Sequence, residues 1–408
     1  MTDLRTTIDG VTGFQVAGVH AGLKKDDALD FSLIVSDRPC VSAGVFTRNL
    51  VKAAPVLVNM EHLRTHGATM RAVAINTKHA NAGTGAQGMT NARTMAQWTA
   101  AKVACEPQQV YVMSTGVIGT QLPMANIKRG INSAYQQLGQ DWTATARGIM
   151  TTDTYPKLAS ITVQTARGAY TIAGITKGAG MIAPNMATML GVIVTDADLQ
   201  PAFAHQALSA TARVSYNRIV VDGDTSTNDM VVMLANGASA ITLESADERA
   251  QFQLALDTLT TYLAQAVVRD GEGVTKFITI DVCGASDEQT AQRIAHTIAA
   301  SPLVKTAFYG NDANWGRIMA AAGRAGVDFD PDRATLTFTS GETRADDSGV
   351  VLFRNGQQHD YDDAQASAII REASVYVTLD LCAGDERAIV WTCDLSHDYV
   401  SINADYRT

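Results

Sequence analysis

A small residue meets a hydroxyl residue at Ala187-Thr188, inside the run KGAGMIAPNMATMLGVIVTDAD from Lys177 to Asp198. A lysine and a Gly-rich turn come before it, and an apolar run follows at once. That setting suits an N-terminal nucleophile. In such a setting the Thr188 Oγ can attack the Ala187 carbonyl, and the resulting ester can hydrolyse. The freed α-amine, with a reference pKa of about 7.7–8.0, can then serve as general base beside its own hydroxyl. The competing reading is a structural threonine at a buried strand, a place that β-branched residues favour. A second pair, Thr115-Gly116 within STGVIG (Ser114 to Gly119), can aim one hydroxyl and one backbone N–H at a common point. That is the donor set of an oxyanion hole, although an ordinary glycine turn reads the same way locally.

Other patterns lead to less. Gly178-x-Gly180 and Gly271-x-Gly273 continue neither as a dinucleotide fingerprint nor as a P-loop, so they read as tight turns. His62 and His66 in HLRTH have helical spacing, but Leu63 stands where HExxH needs its glutamate. A solvated helix face is the expected reading, and no metal site is expected. His79 reads as structural. No Gly-x-Ser-x-Gly elbow occurs. The five cysteines (Cys40, Cys105, Cys283, Cys382, Cys393) are scattered with no CxxC pair, which suits buried thiols in a reducing compartment.

The composition must supply elements that position these residues. With 408 residues, 46% hydrophobic and 18% charged, the chain has length for two or three domains, or one large one with a satellite, around sizeable cores. Its net charge of −9 argues against nucleic-acid or anionic-membrane partners. The N-terminal MTDLRTTIDGV lacks the apolar core of a signal peptide. Residues 178–195 are uncharged, but Pro184, Asn185 and three glycines split them into a loop and a buried strand from Met189 to Val194. Strands are expected at 31–35, 41–46, 54–58, 71–76, 110–113, 277–282, 334–338, 376–380 and 388–393. A hairpin is expected from 161–165 and 170–175, turning at Arg167-Gly168. Helices are expected at 91–103, within 121–149, and at 201–215, 248–268, 288–300 and 364–371, with a loop over 77–88. The class is mixed α+β, with a modest domain change near residue 275. The terminal INADYRT, taken by itself, reads as frayed.

Beyond these patterns, 177–198 resembles the self-cleavage segment of the ornithine acetyltransferase (glutamate N-acetyltransferase) family. Further blocks resembling that family follow in order along essentially the whole chain: GVFTRNLVKAAPV from Gly44, HANAGTG from His79, STGVIG, MTTDTYPK from Met150, NRIVVDGDTSTND from Asn217, DGEGVTKF from Asp270, GNDANWGR from Gly310, and INADYRT. Gly83 and Ala313 depart from the family's usual cysteine and proline.

The resemblance implies ping-pong acetyl transfer from N-acetylornithine to glutamate in cyclic arginine biosynthesis. It implies cleavage between Ala187 and Thr188, Thr188 as nucleophile, and Thr115 and Gly116 as oxyanion hole. Substrate contacts are implied at Thr151, Lys177, Thr188, Glu272, Asn403 and Thr408, so the C-terminus would fold into the site. Lys177 suits a substrate carboxylate, Glu272 an ammonium, and Asn403 either polar partner. Asp222 and Asp224 read equally as a functional pair or as turn formers.

The implied fold is a four-layer αββα sandwich with a smaller C-terminal αβ domain. Residues 1–187 would form one chain and 188–408 the other, with 188–275 completing the sandwich and about 276–400 the smaller domain. Two copies of each chain would assemble in the cytoplasm. No metal or redox cofactor is implied, and acetyl-CoA is a conceivable second donor. A related N-terminal-nucleophile aminopeptidase and a non-catalytic small-molecule binder are the alternatives.

Overall fold

The computed structural model describes residues 3–183, 189–344 and 349–405. Ala187, Thr188 and Thr408 lie outside the described residues. In chain order the strands are β1 (Leu4–Arg5), β2 (Phe14–Val19), β3 (Phe31–Phe46), β4 (Met70–Asn76), β5 (Val110–Ser114), β6 (Lys157–Thr165), β7 (Gly168–Lys177), β8 (Leu190–Thr195), β9 (Ile219–Val220) and β10 (Met230–Ala235). β11 (Phe277–Ala285), β12 (Thr335–Ser340), β13 (Val350–Arg354), β14 (Gln357–Gln358), β15 (Ser374–Asp380) and β16 (Glu386–Cys393) follow. The helices are α1 (Ala54–His66), α2 (Gly85–Val103), α3 (Met124–Gln136), α4 (Trp142–Gly148), α5 (Pro201–Val214), α6 (Ala246–Arg269), α7 (Glu288–Ala299), α8 (Pro302–Tyr309), α9 (Trp315–Gly323), α10 (Asp363–Ile370) and α11 (His397–Ala404). The chain divides into two units, Met1–Asn217 with Asp224–Val267, and Arg218–Gly223 with Val268–Thr408.

The first unit holds a sheet in the order β1-β6-β7-β8-β10-β3-β4-β5, with β2 added on β3. Alternation decides what its strands bury. Val73 and Ile75 of β4 and Tyr111 and Met113 of β5 join a core with Ile175, Val192, Val194, Val232 and Leu234. The intervening Ala72, Ala74, Val110 and Val112 join a separate core with Ala92 and Met95 of α2 and Ile127 and Ile131 of α3. Successive side chains point to opposite faces, so a strand apolar throughout is buried on both. On β7, Gly174 admits α6: a Cβ there would lie 2.9 Å from Leu263 Cδ1. The second unit has its own sheet, β14-β13-β12-β15-β11-β16-β9, with Ile294 and Ile298 of α7 in its core. Among the described residues no helix is long and apolar enough to cross a membrane.

Several expected elements differ. Residues 54–58 open a helix instead of forming a strand, because Pro55 stands in its first turn and Ala54, Val56, Val58, Asn59 and His62 turn inward at helical spacing. The runs at 31–35 and 41–46 are one strand. Its first half pairs with β2 and β4 and its second with β10, and the register shifts across the exposed Asp37, Arg38 and Pro39. Helix α2 starts at Gly85, inside the expected loop. His62 is not solvated. It is buried, with Nδ1 2.8 Å from the Val110 carbonyl, and burial pushes its pKa down.

Candidate active site

Strand β5 delivers Thr115 and Gly116 at its end. The Thr115 N–H donates to the Asn76 carbonyl (3.1 Å), continuing the β4–β5 ladder, and Ser114 Oγ donates to Asn76 Oδ1 (2.6 Å). The backbone of Lys78 then comes very close. A Cβ on Gly116, whose φ is +129°, would sit 2.2 Å from the Lys78 carbonyl carbon. Only glycine fits there. Val117 N–H donates to Lys78 O (3.0 Å), whereas the Gly116 N–H has no acceptor among the described residues. Asn228 locks the arrangement from the loop before β10, its Nδ2 donating to the carbonyls of Ala80 (2.6 Å) and Ser114 (2.8 Å).

Strand β7 delivers Lys177, a buried residue whose Nζ donates to Thr115 Oγ1 (3.2 Å). The next amide, Gly178 N–H, donates to Asp153 Oδ1 (2.7 Å), which also accepts Lys157 Nζ (2.7 Å). Asp153 Oδ2 accepts the Thr151 N–H (2.9 Å). Burial acting alone would raise the Asp153 carboxyl. The Lys177 and Lys157 charges and these hydrogen bonds outweigh it and hold the group well below the usual carboxylate range. Asp229, just before β10, shows the opposite outcome: burial pushes its carboxyl well above the ordinary value, and its Oδ2 has no hydrogen-bond partner among the described residues. His79 Nδ1 lies 3.1 Å from Thr120 Oγ1, with its pKa lowered by burial, consistent with a structural role.

In the second unit, buried Glu272 accepts Asn403 Nδ2 at Oε2 (2.7 Å). Asn403 lies on α11, whose capping Ser396 hydroxyl donates to the Gly273 carbonyl (2.6 Å). Ile402, Asn403 and Ala404 are therefore helical, where the residues by themselves read as frayed. Tyr399 OH donates to Asp222 Oδ2 (3.3 Å), and Gly223 between the two aspartates has a φ of +90°. The structure thus places Thr115, Gly116, Lys177 and Thr151 in one network and Glu272 with Asn403 in another. Among the described residues no cluster of three or more His, Cys, Asp or Glu could hold a metal ion. Sequence reading missed Asp153, Lys157, Asn228 and Asp229. Asp153 and Lys157 stand within MTTDTYPK, but nothing local signals that their partners are a distant strand end and its lysine.

A hydroxyl that accepts from an ammonium, beside an unpartnered backbone N–H, is a donor set for the oxyanion of acyl transfer. The chain belongs to the ArgJ family, whose model matches residues 15–408. It is 47% identical over 401 residues to the arginine biosynthesis bifunctional protein ArgJ of Geobacter sulfurreducens, covering 98% of this chain and 100% of that one. The Thermotoga neapolitana protein of the same name is 46% identical, with 97% and 99% covered. Among solved structures, the ornithine acetyltransferase of Mycobacterium tuberculosis complexed with ornithine aligns with a TM-score of 0.43 at 37% identity, covering 46% of this chain and 100% of that one.

Proposed function

We infer that this chain is an acyltransferase of arginine biosynthesis that moves the acetyl group of N2-acetyl-L-ornithine to L-glutamate through an acetyl-threonine at Thr188. Kinship with the bifunctional ArgJ proteins along nearly the whole length supports the reaction. The observation that carries the site is the Lys177–Thr115–Gly116 arrangement, with Lys177 paired in the sheet to Leu190, two residues beyond Thr188 in the chain.

In the proposed maturation Thr188 Oγ attacks the Ala187 carbonyl, the C–N bond breaks, and water hydrolyses the ester to leave a free Thr188 amine. In transfer that amine takes the Oγ proton as Oγ attacks the acetyl carbonyl. Thr115 hydroxyl and Gly116 N–H then receive the oxyanion. Collapse expels the ornithine amine with the proton, and the glutamate amine takes the acetyl group by the reverse path. Lys177 and Thr151, and Glu272, Asn403 and Thr408, are assigned to substrate contact. The reading includes the αββα layering, supported by the two cores that share β4 and β5, together with paired copies of both chains and a cytoplasmic setting.

Purified protein should run as two fragments, the second beginning Thr-Met-Leu-Gly-Val, and should carry acetyl from N-acetylornithine to glutamate. Thr188→Ala should remain one inactive chain. Full activity in an uncleaved chain would refute the mechanism, and release of amino acids from short peptides without acetyl transfer would point to an aminopeptidase. Glutamate acetylation with acetyl-CoA alone tests that compound as a second donor.

A further inference from the structure

Asp153 has no part in the chemistry just described, yet its side chain ties together three segments of this site. Its carboxylate is enclosed, with no side-chain exposure, and both oxygens are occupied. Oδ2 holds the backbone of Thr151. Oδ1 holds the amide of Gly178, which fixes the residue after Lys177, and the ammonium of Lys157 where β6 begins. The contacts join a loop, a strand start and a strand exit, which is more than an ion pair needs.

What the arrangement controls is visible at Thr115. A hydroxyl has one proton to donate and two lone pairs to accept with. Lys177 Nζ donates to Thr115 Oγ1, and among the described residues the Thr115 hydroxyl donates to nothing. With one lone pair taken by an ammonium, the hydroxyl's own proton is turned away from Lys177. The polarised hydroxyl is also a stronger donor, as charge-assisted chains of hydrogen bonds are. We propose that Asp153 is the positioning residue of the oxyanion hole: by fixing the exit of β7 and supplying the buried counter-charge, it holds the Lys177 ammonium on Thr115, which aims the threonine proton at the oxyanion. The proposal rests on the acetyl-transfer reading and adds to it a second task for Lys177, besides contact with substrate.

Among the described residues the charges that bear on Lys177 include Asp153 from the loop before β6, Asp229 from just before β10, and Lys24 from the loop after β2. Asp153 is the carboxylate among them whose oxygens are both engaged by this network. Removing its charge takes a buried counter-charge away from Lys177, so its ammonium should become easier to deprotonate.

Asp153→Asn keeps the shape and loses the charge. It should lower kcat about 10–100-fold while KM for N-acetylornithine moves less than about threefold, because the lost interaction acts on the transition state. In a Thr115→Ala background, itself slowed about 10²–10³-fold, the same change should cost little more, since the relay has already lost its end. The Lys177 amine, followed by nitrogen NMR in the intact protein, should titrate at lower pH in Asp153→Asn and at the wild-type pH in Asp153→Glu. An equal loss of kcat in both backgrounds, or an unmoved Lys177 titration, would overturn the proposal. Should Asp153→Asn not fold, a Lys157→Gln variant serves: it should leave Lys177 protonated to higher pH, and an unchanged or lower titration would count against the proposal. Absence of acetyl transfer in the wild type would overturn the function instead, and the titration would still judge the relay.

Discussion

Two buried aspartates in the same unit are pushed in opposite directions, and the difference is one of partners. Asp153 has the charges of two lysines and two backbone donors, whereas among the described residues one oxygen of Asp229 has no hydrogen-bond partner. A carboxyl whose folded-state pKa is raised contributes stability that is complete below its unfolded pKa and is lost as pH rises through the folded value. The wild-type protein should therefore lose stability at Asp229 as pH climbs from about 4, the reference carboxyl value. Asp229→Asn resembles the neutral acid and does not titrate. Its Tm should match the wild type near pH 4 and exceed it increasingly above, on the order of 2–4 °C per pH unit within the titration window. Thermal unfolding from pH 4 to 8 measures this. A gap that shrank with rising pH would mean that Asp229 is ionised and paired in the folded protein. Asp153, with its depressed carboxyl, should show the reverse dependence, with its contribution lost only as pH falls below about 4.

Elements in this protein approach one another where side chains are missing. A Cβ on Gly18 in β2 would lie 2.0 Å from the Ala144 carbonyl oxygen in α4, so helix and strand meet backbone to backbone. Gly18→Ala should push α4 outward and destabilise the first unit by about 1–3 kcal/mol, the usual cost of overpacking. At Gly323, the end of α9, such a Cβ would meet open space among the described residues, so Gly323→Ala should be neutral or gain up to about 1 kcal/mol when thermal unfolding of both variants is compared with the wild type. Similar losses at both positions would show that helix approach does not set the effect. What was legible in the sequence follows the same division. The β6–β7 hairpin, α5, α6 and α7 carry their periodicity and end signals within their own residues. Residues 54–58 do not, because a short apolar run fits strand or helix alike and Pro55 decides it. MVVMLA of β10 went unread for the same reason, being too short and too uniformly apolar to show a period. At the site, residue type and spacing offered Thr115 and Gly116 as a donor pair, whereas a task for Lys177 came only with the family resemblance. Asp153 stayed hidden because its Gly178 partner is 25 residues away and its meaning lies wholly in burial.

At the scale of the whole molecule, cleavage between Ala187 and Thr188 would cut the chain inside a sheet and not between the two units. Strands β1 to β7 would then belong to residues 1–187, and β8 and β10 to residues 188–408. Yet β8 and β10 lie side by side between β7 and β3. β8 pairs with β7 from Leu190–Lys177 to Thr195–Ile172, and β10 with β3 from Met230–Phe46 to Ala235–Val41. Every residue of β8 and β10 is buried. Withdrawing the second fragment would strip both ladders, open two strand edges and expose apolar residues on both faces of the sheet. That resistance comes mainly from apolar burial and backbone hydrogen bonds, which salt does not screen as it screens surface charge. The fragments should therefore elute as one species in size exclusion, including in about 1 M salt, where the Debye length is only about 3 Å. They should part only in denaturant, in step with loss of the first unit's secondary structure. Residues 1–187 expressed alone should aggregate through the uncovered edges of β7 and β3, and co-expression with 188–408 should restore soluble protein. Fragments that separated in salt while the sheet stayed intact would contradict the strand order β7-β8-β10-β3. A cleaved pair that holds together means that the smallest folded body of any larger assembly is one fragment of each kind, since neither can complete the first sheet without the other.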